Sequence, residues 1–168
     1  MTLFPMIDPF TQTSRAILSA LRADPGWSAL VKPGNLIDMT AHSFERFKTQ
    51  VSSADLPEVI LLQGEFKLKP FGANSRIGEM NQSFELIVTH DSLRVTPVNC
   101  LKYQTLIALA KAGPSLGLDG LVRAWEITDG SDDALGKSQW RRGTQRWVSV
   151  LTIRVELFVA RDRVISST

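Results

Sequence analysis

Trp147-Val148-Ser149-Val150-Leu151-Thr152-Ile153-Arg154-Val155-Glu156-Leu157-Phe158-Val159 is the stretch whose reading decides the fold. Trp147, Leu151, Ile153, Val155, Leu157 and Val159 recur at period two, and a strand puts alternate side chains on opposite faces, so all six share one face. Thirteen residues at strand spacing extend about 43 Å. A domain of this size has a radius of gyration of only about 15 Å. The strand therefore crosses the whole globule, and its beginning, with the loop before it, is expected to project as an arm.

Working outward, Leu121 to Thr128 reads as the preceding strand, with Leu121, Trp125 and Ile127 on one face, and a charged loop joins the two. Before that pair, Thr96-Pro97 starts a helix, because threonine caps free amides and proline in the first turn gives up an N–H that has no partner there. Its buried stripe is Leu101, Leu106, Leu109 and Ala110, with Val98 and Ile107 at the margins, and Gly113-Pro114 ends it. Further upstream, Pro57 to Leu68 places Ile60, Leu62, Phe66 and Leu68 on one face of a strand. A loop with Gly72, Asn74 and Gly78 follows. Gln82 to His90 is the partner strand, Phe84, Leu86 and Val88 alternating with Glu85, Ile87 and Thr89.

At the N-terminal end, Thr11 or Thr13 is expected to cap a helix with an Ile17, Leu18 and Leu21 stripe that stops at Ala23-Asp24-Pro25-Gly26. Trp27, Leu30 and Val31 pack behind it, and the Lys32-Pro33-Gly34-Asn35 turn leads to a short edge strand at Leu36 and Ile37. Residues 40–55 read as irregular, with Phe44 and Phe47 buried and Ser52 to Asp55 a loop; residues 165–168 are expected to fray. The order α-β-β-α-β-β predicts one α+β domain spanning 1–168: an antiparallel sheet of two hairpins with two helices on one face.

Composition limits function. The 168 residues are 43% hydrophobic and 21% charged, an ordinary globular mixture. With 19 basic and 17 acidic residues the net charge is +2, too small for general affinity toward nucleic acid or anionic membranes. Cys100 is the only cysteine, so an internal disulfide and a cysteine-rich zinc site are both out of reach. The start, Met1 to Pro9, lacks a secretory pattern, and no run approaches a membrane span, so a soluble, cytoplasmically made protein is expected.

Chemical motifs are weak. His90-Asp91 resembles paired metal ligands, but His42 is the only other histidine, and the pair reads better as a strand end and turn. Gly136-Lys137-Ser138 has an upstream glycine, Gly130, one residue too far away for a phosphate loop, with Asp132 and Asp133 in between. As a calcium loop from Asp129, the segment has Ala134 where glycine is needed and Trp140 where the bidentate glutamate belongs. Cys100 is expected to be a small buried side chain. No catalytic residue, cofactor or metal is assigned, and a non-enzymatic role is expected.

One segment is less ordinary. Glu126, Asp129, Asp132 and Asp133 precede Lys137, Arg141, Arg142 and Arg146, which are interleaved with Trp140 and Trp147. Tryptophan beside arginine is enriched at contact surfaces, so Asp129, Asp132, Asp133, Lys137, Trp140, Arg141, Arg142 and Arg146 are the candidate contact residues. The bland reading folds Trp140 back onto its own sheet. A rival reading has Arg141, Arg142 and Arg146 meeting nucleic-acid phosphates while Trp140 stacks on a base, though the acids nearby count against it. A third, a small hydrolase with residues dispersed in sequence, has no motif of its own.

Taken together, the first helix ending in Ala23-Asp24-Pro25-Gly26-Trp27, the first hairpin to Thr89, the helix from Pro97 to Gly113, and the closing hairpin through Trp147-Val148-Ser149-Val150-Leu151-Thr152-Ile153-Arg154-Val155 resemble the tail terminator family of long-tailed bacteriophages. Related minor tail, or tail-completion, proteins share the pattern. The resemblance lies in element order, size and patterning, without an invariant short motif, and the stretch from Lys32 to Asp55 is longer than the family pattern. It implies an α+β sandwich that assembles as a hexameric ring at the head-proximal end of the tail tube. Such a ring ends tube polymerisation, contacts the tail-tube and neck or connector proteins, and has DNA passing through it, with no membrane, cofactor or catalytic residue. The implied location is the virion, after assembly in the host cytoplasm.

Overall fold

The computed structural model describes residues 8–39, 56–68, 77–90, 95–133 and 147–160. Helix α1 spans Pro9–Ala23. Its cap is Asp8, not Thr11 or Thr13: the Asp8 carboxylate accepts from the Thr11 amide and hydroxyl, each at 2.8 Å. Pro9 sets this start, since proline fits the first turn and leaves the preceding residue to cap. The chain turns back into helix after Asp24. Pro25–Leu30 forms a second helix, α2, capped by the Asp24 carboxylate on the Trp27 amide at 2.8 Å. Trp27 and Val31 are buried as expected, whereas Leu30 is exposed. A 3-10 turn at Pro33–Asn35 delivers strand β1, Leu36–Asp38.

The remaining strands are β2, Glu58–Leu68, and β3, Ile77–His90, followed after helix α3, Val95–Lys111, by β4, Val122–Asp133, and β5, Trp147–Ala160. They form one five-stranded sheet in the order β1-β2-β3-β5-β4, in which β1 is parallel to β2 and all other pairs are antiparallel. The fold is α+β. The two expected hairpins, β2–β3 and β4–β5, are present and are joined through β3 and β5, from Ile77 opposite Ala160 to His90 opposite Trp147. Strand β3 begins five residues before the expected Gln82, so Gly78 is a strand residue.

β5 is an interior strand, paired with β3 throughout and with β4 from Val148 to Leu157. Trp147 and Val148, at its beginning, are paired with β3 and so belong to the sheet, while the loop before them, the rest of the expected arm, lies outside the described residues. Three helices, rather than two, pack on one face of the sheet. Ile17, Leu18 and Leu21 of α1, Trp27 of α2, and Leu101, Ala108 and Leu109 of α3 meet Phe84, Leu86, Ile153 and Val155 in the main core.

Two patterns differ from the sequence reading. In β2, Val59 and Leu61 face the helices, while Ile60 lies in a second cluster with Ile37, Ile87 and Val148, against which Leu62 packs. A strand buried on both sides reads as a continuous apolar run, which hides its inward face. A register shift between Gln63 and Phe66 then breaks the alternation, and Phe66 is 63% exposed, its ring 6.4 Å from that of Phe10. In α3 the buried stripe is Val98, Leu101, Thr105, Ala108 and Leu109; Leu106 and Ala110 face outward and Cys100 is exposed. The Trp27 indole N–H bonds the Thr105 hydroxyl at 3.1 Å, so a polar side chain anchors the inward face where a leucine was expected. Gly113 ends the helix with φ of +81°, a left-handed conformation that glycine adopts without a side-chain clash. Its carbonyl accepts from the Trp125 indole at 2.9 Å.

Phe44, Phe47 and the loop at residues 52–55 lie outside the described residues, as do Gly72, Asn74 and residues 165–168.

Candidate assembly surfaces

The acidic half of the expected charged loop is strand. β4 continues past Thr128 to Asp133, with Asp129 opposite Thr152, Asp132 opposite Ser149 and Asp133 opposite Val148. Cross-strand pairing with β5 satisfies backbone groups that a loop would leave to water, and this overrides the turn preference of aspartate and glycine. β4 is an edge strand, and its register shifts between Val122 and Ala124 and between Ile127 and Asp129. Such bulges twist an edge and hinder uncontrolled strand addition. Lys137, Trp140, Arg141, Arg142 and Arg146 lie outside the described residues, as does Gly136-Lys137-Ser138. The backbone thus gathers the three aspartates at the end of the sheet where His90 closes β3.

The sheet face away from the helices carries a lattice of charges. Arg123 lies 3.5 Å from Glu79 and 4.0 Å from Glu156, and its guanidinium sits 5.9 Å from the centre of the Phe158 ring. Arg154 pairs with Glu126 across the β4–β5 ladder. All four of these side chains on β4 and β5 are between about two fifths and three fifths exposed, so each pair contributes only about 0 to 1 kcal/mol. The depression beneath Arg123, lined by Glu79, Asn81, Glu156 and Phe158, has an accessible volume of about 10 Å³, room for a water and not for an organic ligand. On β3, β4 and β5 this face also holds Glu85, giving four glutamates against two arginines.

The opposite, helical face differs in kind. Arg15, Arg22, Lys102 and Lys111 are the only charged residues within the three helices, and all are basic. Lys111 is engaged with Asp24 at 2.5 Å, and that ion pair, with the Trp27 amide bond, holds the Asp24 carboxyl below its ordinary value of 3.8. Along the outward side of α3, Asn99, Tyr103, Leu106 and Ala110 follow one another at helical spacing without a charge, Tyr103 being 63% and Leu106 41% exposed. Sequence reasoning missed this stripe by assigning Leu106 and Ala110 to the core. The available signal was that Leu106, Ile107 and Ala110 add to Leu101, Ala108 and Leu109 more apolar residues than one buried face of α3 uses up.

Among the described residues no group of three or more His, Cys, Asp or Glu side chains is placed to hold a metal ion, and no helix is long and apolar enough to cross a membrane. Among the described residues the arrangement offers exposed charged side chains on both layers, the outer sheet face being buried where Ile60, Ile87 and Val148 cluster.

Compared with known protein families and with curated proteins, the sequence finds no match in either. Its fold is similar to that of a solved chain from the virion of a native gene transfer agent particle. The TM-score is 0.56 at 14% identity, over 87% of this chain and 94% of that one.

Proposed function

We propose that this chain is a structural component of a phage-type virion and, more finely, a tail terminator that acts by stoichiometric ring assembly. In that role six copies would cap the head-proximal end of the tail tube, stop its growth and present a surface to the neck, with DNA passing through the ring. The observation that carries the reading is the extent of the fold likeness: the gene transfer agent chain is matched over 94% of its own length, so the likeness spans nearly that whole chain. The order of elements that resembles the terminator family supports the finer part. Broad charged faces, with a water-sized depression between Arg123 and Glu156, suit protein contacts. The segment from Asp129 to Arg146 is proposed as one contact, with Trp140, Arg141, Arg142 and Arg146 meeting a neighbouring subunit or the tube.

The test is to add the purified protein to polymerising tail tubes and image the ends by electron microscopy, alongside native mass measurement. Rings of six at one tube end, with tube length now fixed, are expected. Tubes that grow unchecked and uncapped at every protein concentration would remove the terminator assignment, and absence of the chain from purified particles would remove the virion role.

A further inference from the structure

Resting on the assembly reading, we propose that the helical face of one copy, centred on Tyr103 and Leu106, docks head to tail on the outer sheet face of a second copy around Glu85 and Glu126. The charge is layered through the molecule. Within the bounds of the helices lie four basic residues and no acidic one, with Asp8 and Asp24 at their caps, while the outward side chains of β3, β4 and β5 include Glu79, Glu85, Glu126 and Glu156 against Arg123 and Arg154. A chain of net charge +2 has no need to separate its charges in this way to stay soluble. Separation of unlike charge onto opposite faces does favour a partner that presents both signs in the same layering, and a second copy of the chain does so.

Two features select the geometry. A twofold contact between helical faces would bring Arg15, Arg22 and Lys102 of each copy toward their own counterparts, and like charges set against one another are unfavourable. A head-to-tail contact instead brings basic residues toward the glutamates of the next sheet and buries the uncharged stripe, Asn99, Tyr103, Leu106 and Ala110, at its centre. Apolar centre with charged margin is the usual anatomy of a protein interface, and tyrosine is among the residues enriched there. Phe158 and Thr152 on β5 give the receiving face uncharged ground between its ion pairs. Because the two surfaces lie on opposite sides of one molecule, the contact repeats from copy to copy and generates a ring or a filament rather than a closed pair.

The experiment measures self-association by sedimentation velocity and capping of tail-tube ends by microscopy for three variants of the full chain. Lys102→Glu/Leu106→Glu alters the helical face, Glu85→Lys/Glu126→Lys alters the sheet face, and the third, Lys102→Glu/Glu85→Lys/Glu126→Lys, combines the charge reversals. All four positions are outside the main core, so unchanged melting temperatures serve as the folding control. Each double variant is expected to associate at least about tenfold more weakly than the unmodified chain, and the Lys102→Glu/Glu85→Lys/Glu126→Lys combination, with Leu106 retained, to recover most of the loss. A helical-face variant that assembles like the unmodified chain overturns this contact while leaving the terminator reading intact. An unmodified chain that neither self-associates nor caps tubes overturns both. Loss of salt-sensitive DNA binding by the helical-face variant alone, with self-association unaffected, would assign that face to nucleic acid and likewise overturn the contact.

Discussion

At the scale of single residues, Leu151 and Thr152 separate the two faces of the central strand. Leu151 lies in the main core and Thr152 faces the other way. Truncating a buried leucine costs about 2 to 5 kcal/mol, so Leu151→Ala should lower the melting temperature far more than Thr152→Ala in thermal denaturation. Equal effects would mean that the strand is displaced by one residue, which reverses every side chain. Asp24 makes a second residue-scale case. It accepts from the Trp27 amide as the cap of α2, binds Lys111 of α3, and stands where α1 ends. Because its carboxyl is held below the ordinary 3.8, first by Lys111 and then by the Trp27 amide, the stability it contributes is present above that value and disappears as pH falls through its lower folded value. Asp24→Asn should therefore melt lower than the unmodified chain at pH 7, with the gap closing below pH of about 3.8. A gap that persists unchanged into strong acid would show that charge plays no part. The Asp24 role was half legible: the Ala23-Asp24-Pro25-Gly26 break was read as a stop, but a carboxylate just before proline is also a start signal, and its partner 87 positions away is invisible to local pattern.

Elements were legible where one face is buried and obscure where two are. β5 alternates from Leu151 to Leu157 because helices cover one side there, whereas β2 runs Val59-Ile60-Leu61-Leu62 into two clusters, the second of which also takes in Ile87 of β3 and Val148 of β5, and its phase could not be read from apolar residues alone. The bulge in β2 has its own mark. Gln82, only 3% exposed on the core face of β3, donates to the Gly64 carbonyl at 3.0 Å and the Ser83 carbonyl at 2.7 Å, so it satisfies backbone oxygens that the disturbed ladder leaves over. Gly64 leaves room there for the Ser83 hydroxyl, which a Cβ would approach to 2.6 Å and which itself bonds the Glu65 carbonyl. Buried acceptors left without a donor cost about 1 to 3 kcal/mol each. Gln82→Leu should thus destabilise the protein in urea titration despite adding apolar surface to a buried position. A neutral or stabilising result would show that water replaces the amide at the bulge.

For the whole molecule, the α+β architecture followed from element order, while the exposed surfaces did not, because they depend on which faces remain uncovered after packing. The aspartates assigned to a loop lie on an edge strand, and the stripe on α3 was hidden because Leu106 and Ala110 read as core. The edge near Leu36 and Ile37, the other route to association, is only three residues long, and both of those side chains are buried. This leaves the end of the β4–β5 hairpin, where Asp129, Asp132 and Asp133 on one arm precede Lys137, Arg141, Arg142 and Arg146 in the connecting segment. If those charges only paired within one hairpin, each pair would contribute about 0 to 1 kcal/mol and its loss would scarcely alter folding or assembly. If they meet a neighbour, removing them acts on every junction of a ring at once, since a head-to-tail contact repeats with each subunit. Arg141→Glu/Arg142→Glu should therefore abolish ring formation or tail joining while leaving the melting temperature nearly unchanged, because rim charges govern encounter and specificity more than stability. A variant that still caps tubes at physiological salt would remove this segment from the interface, and the helical and outer sheet faces would then have to carry the junction by themselves.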